Sequence, residues 1–359
     1  MFTKSSYWRT AHPRCPGRNR TTIAILIPAY QPDEKITELV RQLKDACDFP
    51  ILLVNDGSDP ACDPIFAQAE QQGCTVLAHP VNRGKGRALK TGLEYAVQQD
   101  WDGVVTADAD GQHTVEDILR IAAMLAEDTD RLVLGVRNLR QMPPRSRTGN
   151  TITRLLFRFL YGRWITDTQI GLRGIGKGAM GWAATLEGER YEYETNMLIW
   201  ASQHNYPMAE LTISTVYIDN NRSSHFHALR DGSRVYKLLL RQAGLFAGSS
   251  LVCFGVDYGL FAVLSSLLHQ NLFVSVGLAR LVSSFLNFKL NQHVVFQKRM
   301  RMRYLVQYYL LVICIFLANY ALMFVLVHLL HIHPLLAKPL VEVVLYLASY
   351  SIQSRGIFR

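Results

Sequence analysis

Acidic residues almost vanish from the last third of this 359-residue chain: of its 29 Asp and Glu, only Asp257 and Glu342 lie beyond Gly244. A solvated domain carries both charge signs on its surface, so this scarcity among long apolar runs excludes one there and places the segment in a bilayer. The six cysteines (Cys15, Cys47, Cys62, Cys74, Cys253, Cys314) show neither a C-x-x-C metal spacing nor a small-scaffold disulfide pattern, and reduced thiols are expected. No apolar core precedes Ile23, so the basic first twenty residues do not read as a cleaved signal peptide; a cationic tail beside anionic lipid suits them better. Also missing are G-x-x-x-x-G-K-[ST] and a G-x-G-x-x-G after the first apolar run, which counts against a Walker A site and a dinucleotide enzyme. The net charge of +9 comes mainly from the apolar half and its flanks, so no nucleic-acid partner is expected.

What is present begins with short apolar runs bounded by turn residues. Thr22 to Ala29, Ile51 to Asn55, Thr75 to Ala78, Gly103 to Ala107 and Leu132 to Val136 suit buried strands. Helical spacing lies between them. After Pro32, Ile36, Leu39, Val40 and Leu43 share one face, and Thr114 with Asp117 resembles a capping box before Ile118, Ile121, Ala122 and Leu125. Alternating strands and helices predict an α/β domain with a mostly parallel sheet, whose ligands bind beyond the carboxyl ends of the strands.

The unusual residues cluster at those ends. Asp108 and Asp110, at i and i+2 in a tight turn, can point the same way and hold a divalent cation against a diphosphate, with Gln112 adding a neutral oxygen. Alone, D-x-D is a weak signal because surface turns are rich in Asp; its place after an apolar strand strengthens it. Asp56, in the turn Asn55-Asp56-Gly57-Ser58, can accept hydrogen bonds from a base or ribose, and a simple Asx turn is its structural alternative. Gly84-Lys85-Gly86 opens a helix, so its amides and Lys85 can face phosphate.

Arg131 to Arg163 holds eight arginines and no acid, and ends in aromatic and apolar residues. An interfacial helix over about 148–163 is expected, with a second over about 229–243. Four apolar segments follow, roughly 245–268, 272–290, 305–330 and 335–354, each near the length that spans about 30 Å of hydrocarbon. Lys298, Arg299, Arg301 and Arg303 between the second and third segments, with Arg355 and Arg359 at the end, place the catalytic domain and both termini in the cytoplasm of a multi-pass cell-membrane protein. Asp257, Arg280, Lys338 and Glu342 are costly within a bilayer, and are either functional or paired between helices. Lys338 and Glu342 have the i,i+4 spacing to pair. Gly244 with Gly248 and Gly255 with Gly259 permit close helix contact, compatible with a homo-oligomer.

In this order, Ile27-Pro28-Ala29-Tyr30 with Glu34, Val54-Asn55-Asp56-Gly57-Ser58 and Asp108-Ala109-Asp110-Gly111-Gln112-His113 resemble the motifs of family-2 glycosyltransferases of GT-A fold, especially the polyprenyl- and dolichyl-phosphate sugar transferases. Asp167 to Arg173 and Tyr191 to Thr195 resemble later blocks, so the likeness covers about 20–243. Asn55 departs from the family's usual first Asp, which makes Asp56 the base contact and leaves base preference open. The apolar half resembles a GtrA-like four-helix domain over 244–359, through Phe254-Gly255-Val256-Asp257-Tyr258 and Ser283 to Phe288 with Val294-Val295-Phe296.

The resemblance implies that Asp108, Asp110 and Gln112 bind Mg2+ or Mn2+, and that Pro28, Ala29, Tyr30, Glu34, Asp56, Lys85 and Asp108 line a nucleotide-sugar site. It implies catalytic-region roles for Asp110, Glu194 and Arg137, and lipid-phosphate contacts from Arg137, Arg145, Arg147 and Arg222. The activity implied is inverting transfer of a hexose from a UDP- or GDP-sugar to a polyprenyl phosphate such as undecaprenyl phosphate, for cell-envelope glycosylation. Two alternatives compete. A processive polysaccharide synthase normally carries Q-x-x-R-W, but Leu160 stands where Gln would precede Arg163-Trp164. A non-catalytic translocator of lipid-linked sugar would not need the intact Asp108 and Asp110.

Overall fold

The computed structural model describes residues 21–139, 142, 144–214, 230–264, 272–296, 302–332 and 334–358. They fall into two compact units. The first comprises Met1–Asn138, Ile170–Arg190 and Pro207–Ser224, and the second Leu139–Gln169, Tyr191–Tyr206 and His225–Arg359.

In the first unit a seven-stranded sheet is built from β1 (Ile23–Ala29), β2 (Ile51–Asn55), β3 (Thr75–Ala78), β4 (Gly103–Thr106), β5 (Leu132–Arg137), β6 (Arg173–Gly176) and β7 (Met208–Ile213), in the order β3-β2-β1-β4-β6-β5-β7. Every residue of β1, β2 and β4 is buried, as expected for strands covered on both faces. Helices α1 (Lys35–Ala46), α2 (Asp63–Gln71), α3 (Lys85–Gln98), α4 (Val115–Glu127) and α6 (Lys177–Thr185) belong to this unit.

The predicted periodicities hold: Ile36, Leu39, Val40 and Leu43 are the buried residues of α1. Thr114 caps α4, its hydroxyl oxygen accepting from the Asp117 amide at 3.2 Å while donating to the Asp117 carboxylate at 2.9 Å. The five predicted strands form. Two others went unpredicted. β6 is short, has glycines at two of its four positions and runs antiparallel between β4 and β5, while β7 is a partly exposed edge strand beside β5. Neither has the apolar run by which a buried parallel strand is recognised.

The second unit contains α5 (Pro144–Tyr161), α7 (Glu192–Gln203), α8 (Arg230–Ala262), α9 (Leu272–Leu290), α10 (Met302–Phe324) and α11 (Pro334–Ile352). The segments 139–169 and 191–206, which precede Gly244 in sequence, group with the C-terminal helices. No helix ends at Gly244. The segment expected at 229–243 continues without a break to Ala262: no proline interrupts it, and Gly244 costs only about 1 kcal/mol. Among the described residues one helix, Gly232–Leu260, is long and apolar enough to cross a membrane, and Met302–Ala318 is a shorter apolar stretch.

Several buried polar groups in this unit are paired with one another. The Asn150 side chain accepts from the Thr168 amide at 3.2 Å, and the Thr153 and Thr168 hydroxyls lie 2.9 Å apart, anchoring α5 to the 166–168 segment. Asn291, fully buried, accepts from Ser249 at 2.7 Å and donates to Gln353 at 3.0 Å. Asp257 accepts from Ser283 at 2.7 Å and lies 4.0 Å from Arg280, so these two charges are paired between α8 and α9. The side chains of Lys338 and Glu342 lie outside the described residues.

Candidate active site

Parallel β1, β2, β3 and β4 end at one edge of the first unit's sheet, and the loops that follow them form the site. Pro28 and Ala29 close β1 as buried residues, with Tyr30 exposed beyond them and Glu34 exposed just before α1. The first two loops are tied together. The Asp56 amide donates to the Ala29 carbonyl at 2.8 Å, and the Gln31 amide to the Ser58 hydroxyl at 2.9 Å.

Asp56 is 2% exposed. Its Oδ1 lies 2.7 Å from His79 Nδ1 and accepts from the Arg83 amide at 2.9 Å, while Oδ2 accepts from the Gly84 amide at 2.7 Å. In this structure the carboxylate braces the turn that leads into α3. Gly84 can take part because it has no side chain: its φ is +101°, and a Cβ would lie 2.3 Å from the Glu189 carbonyl. His79 has no signal in sequence spacing, since it meets Asp56 only through the β2–β3 pairing.

Asp56→Ala strands the buried Gly84 amide, worth about 1–3 kcal/mol, and the part-buried Arg83 amide. A loss of about 2 kcal/mol corresponds to a fall of roughly 4–8 °C in melting temperature for a domain of this size. Melting within one degree of wild type would refute the bracing role.

Lys85 begins α3, and its Nζ lies 2.6 Å from Asp108 Oδ1. Buried His113 places Nε2 3.3 Å from Asp108 Oδ2, and its Nδ1 has no protein partner. Burial would raise the Asp108 carboxyl, but the Lys85 and His113 charges outweigh it and hold the group below the usual carboxylate range. Asp110 behaves oppositely. Burial, then the negative charge of Asp108, push its carboxyl up, and its Oδ1 accepts only the Gln112 amide at 3.0 Å. The site thus holds one carboxylate already paired with Lys85 and one raised by burial and by its neighbour's negative charge.

That donor set fits a hard divalent ion. Two carboxylates and the Gln112 amide oxygen are the oxygen ligands that Mg2+ or Mn2+ accepts, and a cation would relieve the condition that raises Asp110. Among the described residues no group of three His, Cys, Asp or Glu is placed to hold a metal by itself.

Gly171 completes the site. The Thr106 hydroxyl donates to its carbonyl at 2.7 Å, and the antiparallel β4–β6 pairing carries it beside Asp108. Arg137 ends β5 in the same unit. Buried Glu194, on α7, and Arg147, on α5, belong to the second unit, as does Arg145, whose side chain is outside the described residues. Arg222 is outside them entirely. Sequence spacing singled out the Asp pair, Gln112, Lys85 and Asp56 as candidates, and gave no signal for His79, the engagement of His113 or the close approach of Gly171.

Residues 24–186 match the family model described as glycosyl transferase family 2, and residues 245–358 match that described as GtrA/DPMS, transmembrane domain. The chain is 28% identical to a UDP-N-acetylglucosamine–dolichyl-phosphate N-acetylglucosaminyltransferase of Methanococcus voltae, covering 62% of this chain and 96% of that one. It is 36% identical to an undecaprenyl-phosphate 4-deoxy-4-formamido-L-arabinose transferase of Pseudomonas paraeruginosa, over 30% of this chain and 33% of the relative. Among solved structures, glucosyl-3-phosphoglycerate synthase of Mycobacterium tuberculosis, in complex with Mn2+, UDP and glucosyl-3-phosphoglycerate, is 17% identical with a TM-score of 0.48, covering 62% of this chain and 79% of that one.

Proposed function

We propose, from the premise that this chain joins a glycosyl transferase family 2 domain to a GtrA/DPMS transmembrane domain, that it transfers a hexose from a nucleotide-sugar to a membrane-borne polyprenyl phosphate with inversion at the anomeric carbon. One observation carries the reading: Asp108, Asp110 and Lys85 converge at the ends of parallel strands, an arrangement of charges suited to a divalent cation and a diphosphate. The names of both relatives, a dolichyl-phosphate and an undecaprenyl-phosphate transferase, support the acceptor class.

Asp108, Asp110 and Gln112 would hold Mg2+ or Mn2+, which supplies positive charge to the departing nucleoside diphosphate. Lys85, at the positive end of α3, holds the same diphosphate from the protein side. Pro28, Ala29, Tyr30, Glu34 and Asp56 shape the nucleotide pocket, Asp56 by fixing the turn at Arg83 and Gly84. A lipid phosphate oxygen attacks the anomeric carbon, forming the new C–O bond as the bond to the donor diphosphate breaks. The acceptor, with a second pKa near 6, is largely a dianion at pH 7 and needs no strong general base. Arg137, Arg145, Arg147 and Arg222 are assigned to that phosphate, and Glu194 to orienting acceptor or sugar.

The sign of the loops flanking the apolar helices supports a cytoplasmic catalytic domain in a multi-pass membrane protein. Purified protein with Mn2+, undecaprenyl phosphate and a panel of UDP- and GDP-sugars is expected to release nucleotide and form lipid-linked sugar in equal amounts, with an anomeric configuration opposite to the donor's. Nucleotide release without lipid product would refute the acceptor assignment.

A further inference from the structure

The second unit contains a cavity of about 700 Å³, and its lining includes no residue assigned above to donor, metal or acceptor. It opens where the C-terminal ends of α5 and α7 meet one face of α8, beside residues 295–296 and 354–358. Three of its walls carry arginine: Arg163, Arg241 and Arg355. Among the lining residues there is no Asp or Glu, and the remaining polar ones are neutral amides, serines, Tyr161 and His204.

Two of the arginines are positioned by backbone carbonyls. Arg163 donates to the Tyr206 carbonyl at 2.9 Å, and Arg355 donates through Nη2 to the carbonyls of Arg158, at 2.8 Å, and Phe159. Arg355 lies across Gly162, whose missing Cβ leaves room for it, and its buried Nε has no protein partner. A guanidinium anchored by one edge has already lost much of its rotamer freedom, so binding an anion costs it less. On α8, Leu238, Arg241, Gln242 and Leu245 face the cavity at i, i+3, i+4 and i+7.

Past this face α8 becomes exposed and apolar: Leu251 is 73% exposed, Phe254 66% and Tyr258 66%. The cavity therefore sits where a basic helix segment gives way to a lipid-facing one, and Val295, Phe296 and Phe358 add apolar lining. We propose that it is a seat for the phosphate headgroup of an anionic membrane phospholipid, held by Arg163, Arg241 and Arg355 with the start of its acyl chains against α8. The lipid is a bound structural partner and not the sugar acceptor, so the proposal does not depend on the transferase reading.

The test is native mass spectrometry of the full chain released from detergent micelles, titrated with phosphatidylglycerol, phosphatidylcholine, undecaprenyl phosphate or sodium phosphate. Wild type is expected to retain phosphatidylglycerol at least tenfold better than phosphatidylcholine, and Arg241→Gln to weaken that retention about tenfold, the loss of a charge-assisted bond. Arg241 is exposed, so the substitution leaves packing intact, and Gln242→Glu, which adds a negative charge to the same wall, is expected to weaken retention similarly. Equal retention of the two phospholipids, or unchanged retention in both variants, overturns the proposal. So does displacement of the lipid by millimolar sodium phosphate, which would make the site one for free phosphate, or by equimolar undecaprenyl phosphate, which would make it the acceptor seat.

Discussion

Asp110→Asn is expected to lower lipid-sugar formation roughly 10²–10³-fold, the scale of removing one preorganised charge-stabilising group from a reacting centre. The substitution is nearly isosteric, and an Asn oxygen can still accept the Gln112 amide that Asp110 accepts at 3.0 Å, so the turn survives. Only the charge is lost. The same residue makes a second readout available. A carboxyl whose folded value lies above its unfolded value destabilises the fold once pH rises through that range. Asp110 is raised, by burial and then by Asp108, so the metal-free Asn variant should melt at or above wild type at pH 7. Adding Mn2+ should then raise the melting temperature of wild type but not of the variant, since only wild type offers the full ligand set. Undiminished turnover in Asp110→Asn would sink the metal assignment and the mechanism with it.

Gly171→Ala is expected to cut turnover about 100-fold while leaving the sheet folded. A Cβ at this position would lie 2.5 Å from Asp108 Oδ2 and 2.9 Å from Lys85 Nζ, far inside contact distance. Gly171 cannot retreat, because the Thr106 hydroxyl holds its carbonyl and the β4–β6 pairing holds the following residues. Asp108 must rotate instead, breaking its 2.6 Å pairing with Lys85. A displacement of about 1 Å in a reacting constellation is enough for a loss of that size. Steady-state kinetics with Mn2+ titration check it: both kcat and apparent metal affinity should fall, and wild-type values for both would show that the close approach is not functional.

The chain's local chemistry reaches a definite limit. Strand runs, the spacing of Ile36, Leu39, Val40 and Leu43, and the Thr114 cap concern neighbours within a few residues, and all were legible. So were the Asp108-x-Asp110 pair and Lys85 at a helix start, because a carboxylate pair after an apolar strand and a glycine-flanked lysine have a chemical meaning in one dimension. The acid-poor C-terminal third likewise announced its solvent. Sequence-distant meetings were not legible. His79 reaches Asp56 only because β3 lies beside β2, and Asp56 is thereby committed to the Arg83–Gly84 turn.

Gly171 reaches Asp108 only because β6 is inserted antiparallel between β4 and β5, through a glycine-containing segment too short to show a period. Across Gly244, where the composition changes, one helix continues to Ala262, and the second unit also gathers 139–169 and 191–206. Composition reports which solvent a segment prefers, whereas the partner against which a helix packs is set by side chains distant in sequence. By itself, the sequence determined the strand–helix alternation, the charged loops and the apolar helices; tertiary structure decided which loop braces which, since hydrogen bonds between residues 23 and 65 positions apart exist only after the sheet order is chosen.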